Sequence, residues 1–417
     1  MSKVFVLDTD KKPLDPIHPG YARRLLTAGK AAVFKRYPFI IILKYATKEQ
    51  KTDSYRVKID PGSKTSGLAI VNDDNGEVVW AAELTHRSQQ IKAALLSRSQ
   101  IRRNRRNRKT RYRKARFFNR HKPKGNLLPS LMSRVYNITT WVWRLRELCP
   151  ITSISMELTK FDTQAIQKPE ICRIEYQQGE LYGYEVREYL LEKWGRKCAY
   201  CGKENVPLQV EHIIPKSRGG GNRVSNLTIS CASCNLKKGA KTATEFGYPD
   251  IQNKAKLPLK DAAAMNAIRW ALFRELQSLG LPVECGSGGR TKWNRIRLGL
   301  PKAHWIDATC VGASTPDTLC VKDISPLLVK AVGHGNRQMC QTDKYGFPKS
   351  HRTRRKVFDG FRTGDIVKAI VPSGKYAGIH IGKVTVRVRH DWSLNGMWFH
   401  RKYFNHLQKA DGYVYTY

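Results

Sequence analysis

Two short cysteine pairs constrain this chain more than any other feature in it. Cys198-Ala199-Tyr200-Cys201 and Cys231-Ala232-Ser233-Cys234 are Cys-x-x-Cys knuckles about thirty residues apart. Four thiolates with that spacing form a closed, tetrahedral, structural zinc site in a reducing compartment. Such a site pins two loops to one point, so the segment between them is expected to fold as a compact, metal-stapled unit. The other six of the ten cysteines stand singly in apolar contexts, which fits the same compartment.

Size and charge say what that unit is embedded in. The chain has 417 residues, 41% of them hydrophobic, enough for two or more domains with their own cores. Lys and Arg number 75 against 34 Asp and Glu, giving a net charge of +41 and a pI near 10.1. An excess of that size attracts a polyanion, and nucleic acid is the partner it points to. Met1 to Pro13 is short and ends in charge, unlike a secretory leader. Apolar runs such as Phe39 to Leu43 are strand-sized, far below a membrane span, so no membrane partner is expected. The sequence shows no internal repeat and no low-complexity linker.

Much of the charge is concentrated in one stretch. From Ser97 to Lys114 there is no acidic residue, and from His86 to His121 there is no Pro or Gly. This predicts a helix that is basic all round, with Arg98, Arg102, Arg103, Arg105, Arg106, Arg108, Arg111 and Arg113 as candidate phosphate contacts. Like charges three and four residues apart repel, so a bound polyanion is needed to complete it. Ile91 and Leu95 at one end and Phe117 and Phe118 at the other are expected to anchor it.

Residues 1 to about 52 alternate in strand-like segments, Val4-Phe5-Val6-Leu7, Ala31 to Phe34 and Phe39 to Leu43, around a helix at Tyr21 to Leu26 stopped by Gly29. Tyr55 to Val71 reads as two strands about a glycine turn, and Asp74-Asn75-Gly76 as a second hairpin into Val78-Val79-Trp80. Asp60 ends the first strand of that meander, where a carboxylate can face a metal. A helix from Leu131 to Leu148 leads into a strand from Ile151 that ends on Glu157. On adjacent strands, Asp60 and Glu157 would give the paired carboxylates with which phosphodiester hydrolysis holds divalent metal. Lys260 to Leu279 has the spacing of an amphipathic helix, and His304 and Asp307, three apart, share a helical face. Near the C-terminus Lys383, Thr385, Arg387 and Arg389 alternate with Val384, Val386 and Val388, predicting a strand with an apolar face and a basic, nucleic-acid-facing one. Singly, each of these has an ordinary explanation: Asp before Pro-Gly forms turns, and a Glu at a strand end is often only solvated.

Between the knuckles the chain reads Val210-Glu211-His212-Ile213-Ile214-Pro215, with Asn226 and Asn235 fourteen and twenty-three positions after the histidine. In residue type and spacing this resembles the HNH, or ββα-metal, nuclease motif. The resemblance implies that His212 is the general base, that Glu211 and Asn235 hold Mg2+ or Mn2+, and that Asn226 orients the histidine or its strand. Asn235 stands where the motif ends in His, a variant of its RNA-guided branch. The order of Asp60, basic helix, Glu157, HNH insert and His304-x-x-Asp307 is similar to the split RuvC centre of the IscB family, compact relatives of the large RNA-guided CRISPR effectors. Lys12-Pro13-Leu14-Asp15-Pro16 is similar to the Pro-Leu-Met-Pro signature of that family's first module, with Asp15 in place of Met. Gly360 to Ala369 resembles the start of the domain that, in the family, recognises a short motif beside the target.

The resemblance implies an α/β multidomain fold. Residues 1–53 would form the N-terminal α+β module, 54–88, 125–178 and 259–334 a split RNase H-like (RuvC) domain, and 89–124 an arginine-rich bridge helix. Residues 179–258 would form the zinc-containing HNH domain and 335–417 a β-rich C-terminal domain. Asp60, Glu157 and Asp307 would hold catalytic Mg2+ or Mn2+ in one centre, with His304 as a further catalytic residue there, and Glu211 and Asn235 would hold it in the other, beside structural Zn2+ on Cys198, Cys201, Cys231 and Cys234. It further implies a structured, transposon-encoded guide RNA, a double-stranded DNA target, a monomeric ribonucleoprotein and a prokaryotic cytoplasm near the nucleoid. HNH would cut the paired strand and RuvC the displaced one, base pairing supplying most of the specificity. Two other classes fit parts of the pattern. An HNH endonuclease needing no guide explains His212 and the zinc, and a non-catalytic, transposon-associated nucleic-acid-binding protein explains the charge.

Overall fold

The computed structural model describes residues 2–46, 52–107, 127–158, 182–257, 262–321, 323–334, 339–345 and 347–417. The first elements are β1 (Val4–Leu7), β2 (Pro13–Ile17), α1 (Pro19–Thr27), β3 (Ala31–Lys35) and β4 (Ile40–Leu43), with the strands ordered β2-β1-β4-β3. Pro19 opens α1 and the His18 ring accepts a hydrogen bond from the Gly20 N–H; Gly29, with φ 68°, follows its end. All four residues of β1 are buried, so this strand is covered on both faces and its apolar run is continuous, not alternating.

A meander follows: β5 (Tyr55–Asp60), β6 (Thr65–Asn72) and β7 (Val78–Thr85). Then come α2 (Ser88–Asn107), α3 (Pro129–Arg146) and β8 (Ile151–Glu157). The next stretch holds α4 (Tyr182–Lys193), β9 (Leu208–His212), β10 (Leu227–Cys231), α5 (Ala232–Lys238), α6 (Asp250–Lys256) and α7 (Ala262–Gln277). After it come β11 (Val283–Gly286), α8 (Gly288–Arg297), α9 (His304–Thr309) and β12 (Leu327–Ala331). The chain divides into two compact units: Met1–Glu157 with Ala271–Gly286 and Arg290–Tyr417, and Leu158–Trp270 with Ser287–Gly289.

The larger unit is organised on a mixed seven-stranded sheet, ordered β11-β8-β5-β6-β7-β12 and then Tyr413–Thr416. β5 to β7 are antiparallel, whereas β8 runs parallel to both β5 and β11, and β12 parallel to β7. The strands at its centre are covered on both faces: every residue of β6 after Thr65 is buried. On α3 the buried Val135, Ile138, Trp141, Val142 and Leu145 recur at intervals of three and four, and Trp141 stacks on Trp80 of β7 at 5.9 Å. Each such side chain contributes about 1.5–3 kcal/mol by leaving water.

A second, five-stranded sheet in this unit runs in the order Met397–His400, Asp391–Leu394, Gly378–Thr385, Ile366–Val371, Phe404–Gln408. Here the expected strand over 383–389 stops at Thr385. Val384 is buried, but Val388 is 67% exposed, and Arg387 and Arg389 lie beyond the strand. The reason is local. Thr363 Oγ1 accepts from the Val386 N–H, and the Trp392 indole donates to the Arg387 carbonyl, which turns the chain out of the sheet. The isolated cysteines are also less uniform than expected: Cys149 and Cys310 are buried, but Cys285 and Cys320 are exposed.

The smaller unit has a core of its own, including Tyr189 and Leu190 of α4, Leu208 of β9, Leu227 and Ile229 of β10 and Ile251 of α6. β9 and β10 form an antiparallel hairpin followed directly by α5, a ββα arrangement. Among the described residues no helix is long and apolar enough to cross a membrane.

Candidate functional site

Strand pairing in the ββα unit runs from Leu208 opposite Cys231 to His212 opposite Leu227, so Glu211 and His212 stand at the open end of β9. The loop that follows is clasped by Asn226. Its side chain accepts from the Ile214 N–H at 2.9 Å and donates to the Ile214 and Gly221 carbonyls, both at 3.0 Å. Gly220 lies against this clasp, where a Cβ would sit 1.8 Å from the Ile214 oxygen. Asn226 therefore shapes the loop behind His212, and the side chain that meets the imidazole is Asn222, with Oδ1 2.9 Å from Nε2.

Glu211 is 6% exposed. Its Oε1 lies 2.5 Å from Nζ of the buried Lys238, which also donates to the His212 carbonyl at 2.9 Å. The Tyr200 hydroxyl donates to Oε2 at 2.6 Å. Asn235, on α5, gives its amide N–H to Gln209 at 2.8 Å. Gln209 precedes Glu211 by two residues and shares its face of β9. The amide oxygen of Asn235 on α5 and the carboxylate of Glu211 on β9 are hard oxygen donors, of the type that fits Mg2+ or Mn2+. Asn222, Lys238 and Tyr200 are not among the residues singled out from the sequence, since nothing in their spacing marks them as partners of Glu211 and His212.

The four knuckle thiols lie within 4.8 Å of one another, and the sulfurs of Cys201 and Cys231 are 3.8 Å apart. That is the edge of a tetrahedron with Zn–S bonds of about 2.3 Å, so the residues fit zinc. Burial pushes the Cys198 thiol up, but backbone N–H groups of Cys201, Cys231 and Tyr200 help bring it down to about 7. Ala199 N–H donates to the Ile229 carbonyl at 2.9 Å, tying the first knuckle to β10. Among the described residues this is the one group of three or more His, Cys, Asp or Glu side chains drawn so close.

The other candidates meet at one corner of the seven-stranded sheet. Ile59 pairs with Met156, so Asp60 and Glu157 are the next residues on two hydrogen-bonded parallel strands. α9 packs on β6, bringing His304 Nδ1 to 3.8 Å from Asp60 Oδ2. Only glycine at position 67 allows this approach, since a Cβ would lie 1.8 Å from the His304 oxygen. His304 N–H donates to Glu83 of β7 at 3.1 Å, and the Asp60 carboxylate raises the imidazole pKa above its ordinary value. Burial, and then the charge of Asp60, raise that of Asp307, although Arg295 of α8 pairs with it at 2.9 Å. Asp60, His304 and Asp307 are thus near one another, and Glu157 is placed beside Asp60 by strand pairing, a looser grouping than that of the thiols.

Behind them is a polar layer that the sequence does not announce. Lys58, fully buried two residues before Asp60, donates to the Val311 carbonyl at 2.9 Å and to Thr315 at 3.0 Å, and burial lowers its pKa to about 8. Glu284 on β11 accepts from the N–H groups of Ala313 and Ser314 at 2.5 and 3.0 Å and from the Ser155 hydroxyl at 2.6 Å, fastening the loop after α9. His86 lies 2.8 Å from Ser66, whose hydroxyl accepts from Gly62 N–H in the turn after Asp60; burial takes its pKa down to about 3.

α2 is described as far as Asn107. Arg98, Arg103 and Arg106 are exposed and Arg102 is half-buried, while Leu96 and Ile101 are 60% and 48% exposed. Arg108, Arg111, Arg113, Phe117 and Phe118 lie outside the described residues. Lys383, in the C-terminal sheet, and Arg389, beyond its strand, are exposed, and Arg387 lies 4.4 Å from the centre of the Trp398 ring.

Comparison with known proteins adds to this geometry. Residues 4–179 match the family model of the RRXRR proteins, and residues 198–241 match that of the HNH endonucleases. The first contains Arg102-Arg103-Asn104-Arg105-Arg106, which has the pattern of the family's name. The Type IV methyl-directed restriction enzyme EcoKMcrA of Escherichia coli is 25% identical over 162 residues, 32% of this chain and 58% of that enzyme. Cas9 of Streptococcus thermophilus, in complex with the AGAA PAM, is similar over 62% of this chain and 32% of its own at 16% identity and a TM-score of 0.24. The Type II-C Cas9 of Actinomyces naeslundii is similar over 66% and 42%, at 14% identity and a TM-score of 0.16. This chain thus spans less than two thirds of the length of each of these relatives.

The ββα hairpin, the Glu211–His212 pair and the HNH match define a metal-dependent endonuclease domain of the HNH class. The chain is thus similar to the RRXRR proteins over residues 4–179 and to the HNH endonucleases over residues 198–241.

Proposed function

We propose that this chain is an RNA-guided, metal-dependent DNA endonuclease with one centre on the ββα unit and a second, RuvC-like centre at the corner of the seven-stranded sheet. The end of β9 carries the reading: a carboxylate and an imidazole on consecutive residues, a clasped loop following them, and Asn235 on the next helix, bonded to Gln209 of the same strand. His212, fixed through Asn222, takes the proton of the attacking water. Glu211 and Asn235 are the residues that would hold the metal, which when bound polarises the scissile phosphate and stabilises the leaving oxygen.

At the sheet corner Asp60, Glu157 and Asp307 are the corresponding oxygen donors, and His304, held between Asp60 and Glu83, moves the proton. An antiparallel meander continued by parallel strands, with the ββα unit between its segments in sequence, supports an RNase H-like assignment. The exposed, acid-free α2 supports a nucleic acid lying along it. A guide RNA from the transposon locus pairs with the target strand, the HNH centre cuts that strand and the RuvC-like centre the displaced one, with the C-terminal sheet beside the flanking motif.

Strand-specific nicking tests the two centres. His212→Ala is expected to abolish cutting of one labelled strand only, and Asp60→Ala that of the other; double-strand cutting by either variant overturns the reading. The match to a restriction enzyme favours a second reading, an endonuclease acting on DNA without a guide. RNA recovered with the purified protein, together with loss of cutting after ribonuclease treatment, separates the first from the second.

A further inference from the structure

Both oxygens of Glu211 are held, and both holding groups come from the zinc-bearing segments. Tyr200 lies inside the first knuckle, between Cys198 and Cys201, and its hydroxyl meets Oε2 at 2.6 Å. Lys238 lies four residues after Cys234, one turn along α5 from the second knuckle, and its ammonium meets Oε1 at 2.5 Å. Neither is a surface decoration. The Lys238 side chain is fully buried, and the Tyr200 ring is wedged edge-on against Phe246 and Tyr248, both centroids 5.2 Å away. Tyr200 therefore has little freedom to rotate its hydroxyl elsewhere, and Lys238 is fixed a second time by the His212 carbonyl at 2.9 Å.

We infer that Tyr200 and Lys238 are positioning residues that set the Glu211 carboxylate for its catalytic metal, so that the zinc knuckles aim the cleavage centre as well as stapling the fold. Carboxylate oxygens carry two acceptor sites each, so one donor on each oxygen fixes the plane of the group and leaves a lone pair on either side for a cation. The Lys238 ammonium also links the two functional neighbours, since the same nitrogen holds the Glu211 side chain and the His212 main chain. Partners of this kind, one bond behind a metal ligand, orient it and tune its affinity. This inference rests on the HNH reading of Glu211 and His212.

The test uses the full-length, zinc-loaded protein in an Asp60→Ala background, so that one strand's cutting and one catalytic Mn2+ site are followed. Tyr200→Phe keeps the ring and removes only the hydroxyl. It is expected to weaken Mn2+ binding, read by electron paramagnetic resonance, by about 10–100-fold and to slow nicking by a similar factor, with zinc content unchanged. Lys238→Arg, which keeps the charge but changes its reach, is expected to retain more Mn2+ affinity than Lys238→Met. Unchanged Mn2+ affinity in Tyr200→Phe, while Glu211→Gln loses it, overturns the positioning role and leaves the HNH reading standing. Loss of zinc and melting temperature without selective loss of Mn2+ affinity also overturns it, since that is the mark of a purely structural contact. If Glu211→Gln and His212→Ala themselves bind Mn2+ and nick normally, the HNH reading fails and the inference with it.

Discussion

The two candidate centres are built by opposite means. In the ββα unit every group at the site, from Tyr200 to Lys238, comes from one short run of chain that also carries the four clustered cysteines. At the sheet corner the groups come from Asp60, Glu157, Glu284 and His304, far apart in sequence, and are brought together by a buried sheet and a layer of buried polar contacts. A stapled site fails when its staple is removed, whereas a sheet-borne site fails when its packing or its buried polar groups are disturbed. Each of these failures can be provoked separately.

Removing zinc with a chelator is the largest such perturbation, since structural zinc supplies about 10–16 kcal/mol in isolated zinc peptides. Amides of β9 and β10 are expected to lose protection in hydrogen exchange while those of β5 and β6 keep theirs; equal loss in both regions breaks the comparison. Acid acts on the other region. His86 titrates at about 3 in the folded protein against about 6.5 unfolded, so the unfolded chain takes up the proton first. Its contribution is complete above pH 6.5 and is lost as the pH falls toward 3, about 2–3 kcal/mol between pH 7 and 4.5. Urea unfolding of the larger unit followed at both pH values should show this slope, and a His86→Gln variant should flatten it.

Gly67→Ala sharpens the comparison further. The added methyl meets the His304 carbonyl, so α9 must lift from β6 at a cost of about 1–3 kcal/mol. Labelled-strand assays should show that the strand assigned to Asp60 is no longer cut while cutting by the ββα centre continues. The smallest effect is expected from Arg218→Ala, which removes an exposed pair with Glu245 and should leave the melting temperature of the ββα unit unchanged.

The same contrast explains what the sequence discloses. The cysteine cluster and the HNH segment are legible because their geometry is set over a few dozen residues, where spacing along the chain is nearly spacing in space. The meander, α3 and the strand ending on Glu157 are legible as elements, through turn residues and periodicity. Register is not: that Asp60 lies beside Glu157 is fixed by pairing between strands separated by some ninety residues. Burial misleads as well. In Tyr55-Arg56-Val57-Lys58-Ile59-Asp60 the alternation places Lys58 on a wet face, yet it is fully buried because α9 and the loop after it cover that face. The run of valines to Val388 overstates its strand for the opposite reason: the pattern persists in sequence after Thr363 and Trp392 have bent the backbone away.

α2 has a consequence for the life of the protein in a cell. Its first turn is tied to α3 through Ser88 and Arg134, but from Ser97 to Asn107 it carries basic residues and no acid, and like charges three and four residues apart weaken a helix until another molecule neutralises them. Chains made in excess of that molecule should expose this segment to proteases, and chains that have found it should not.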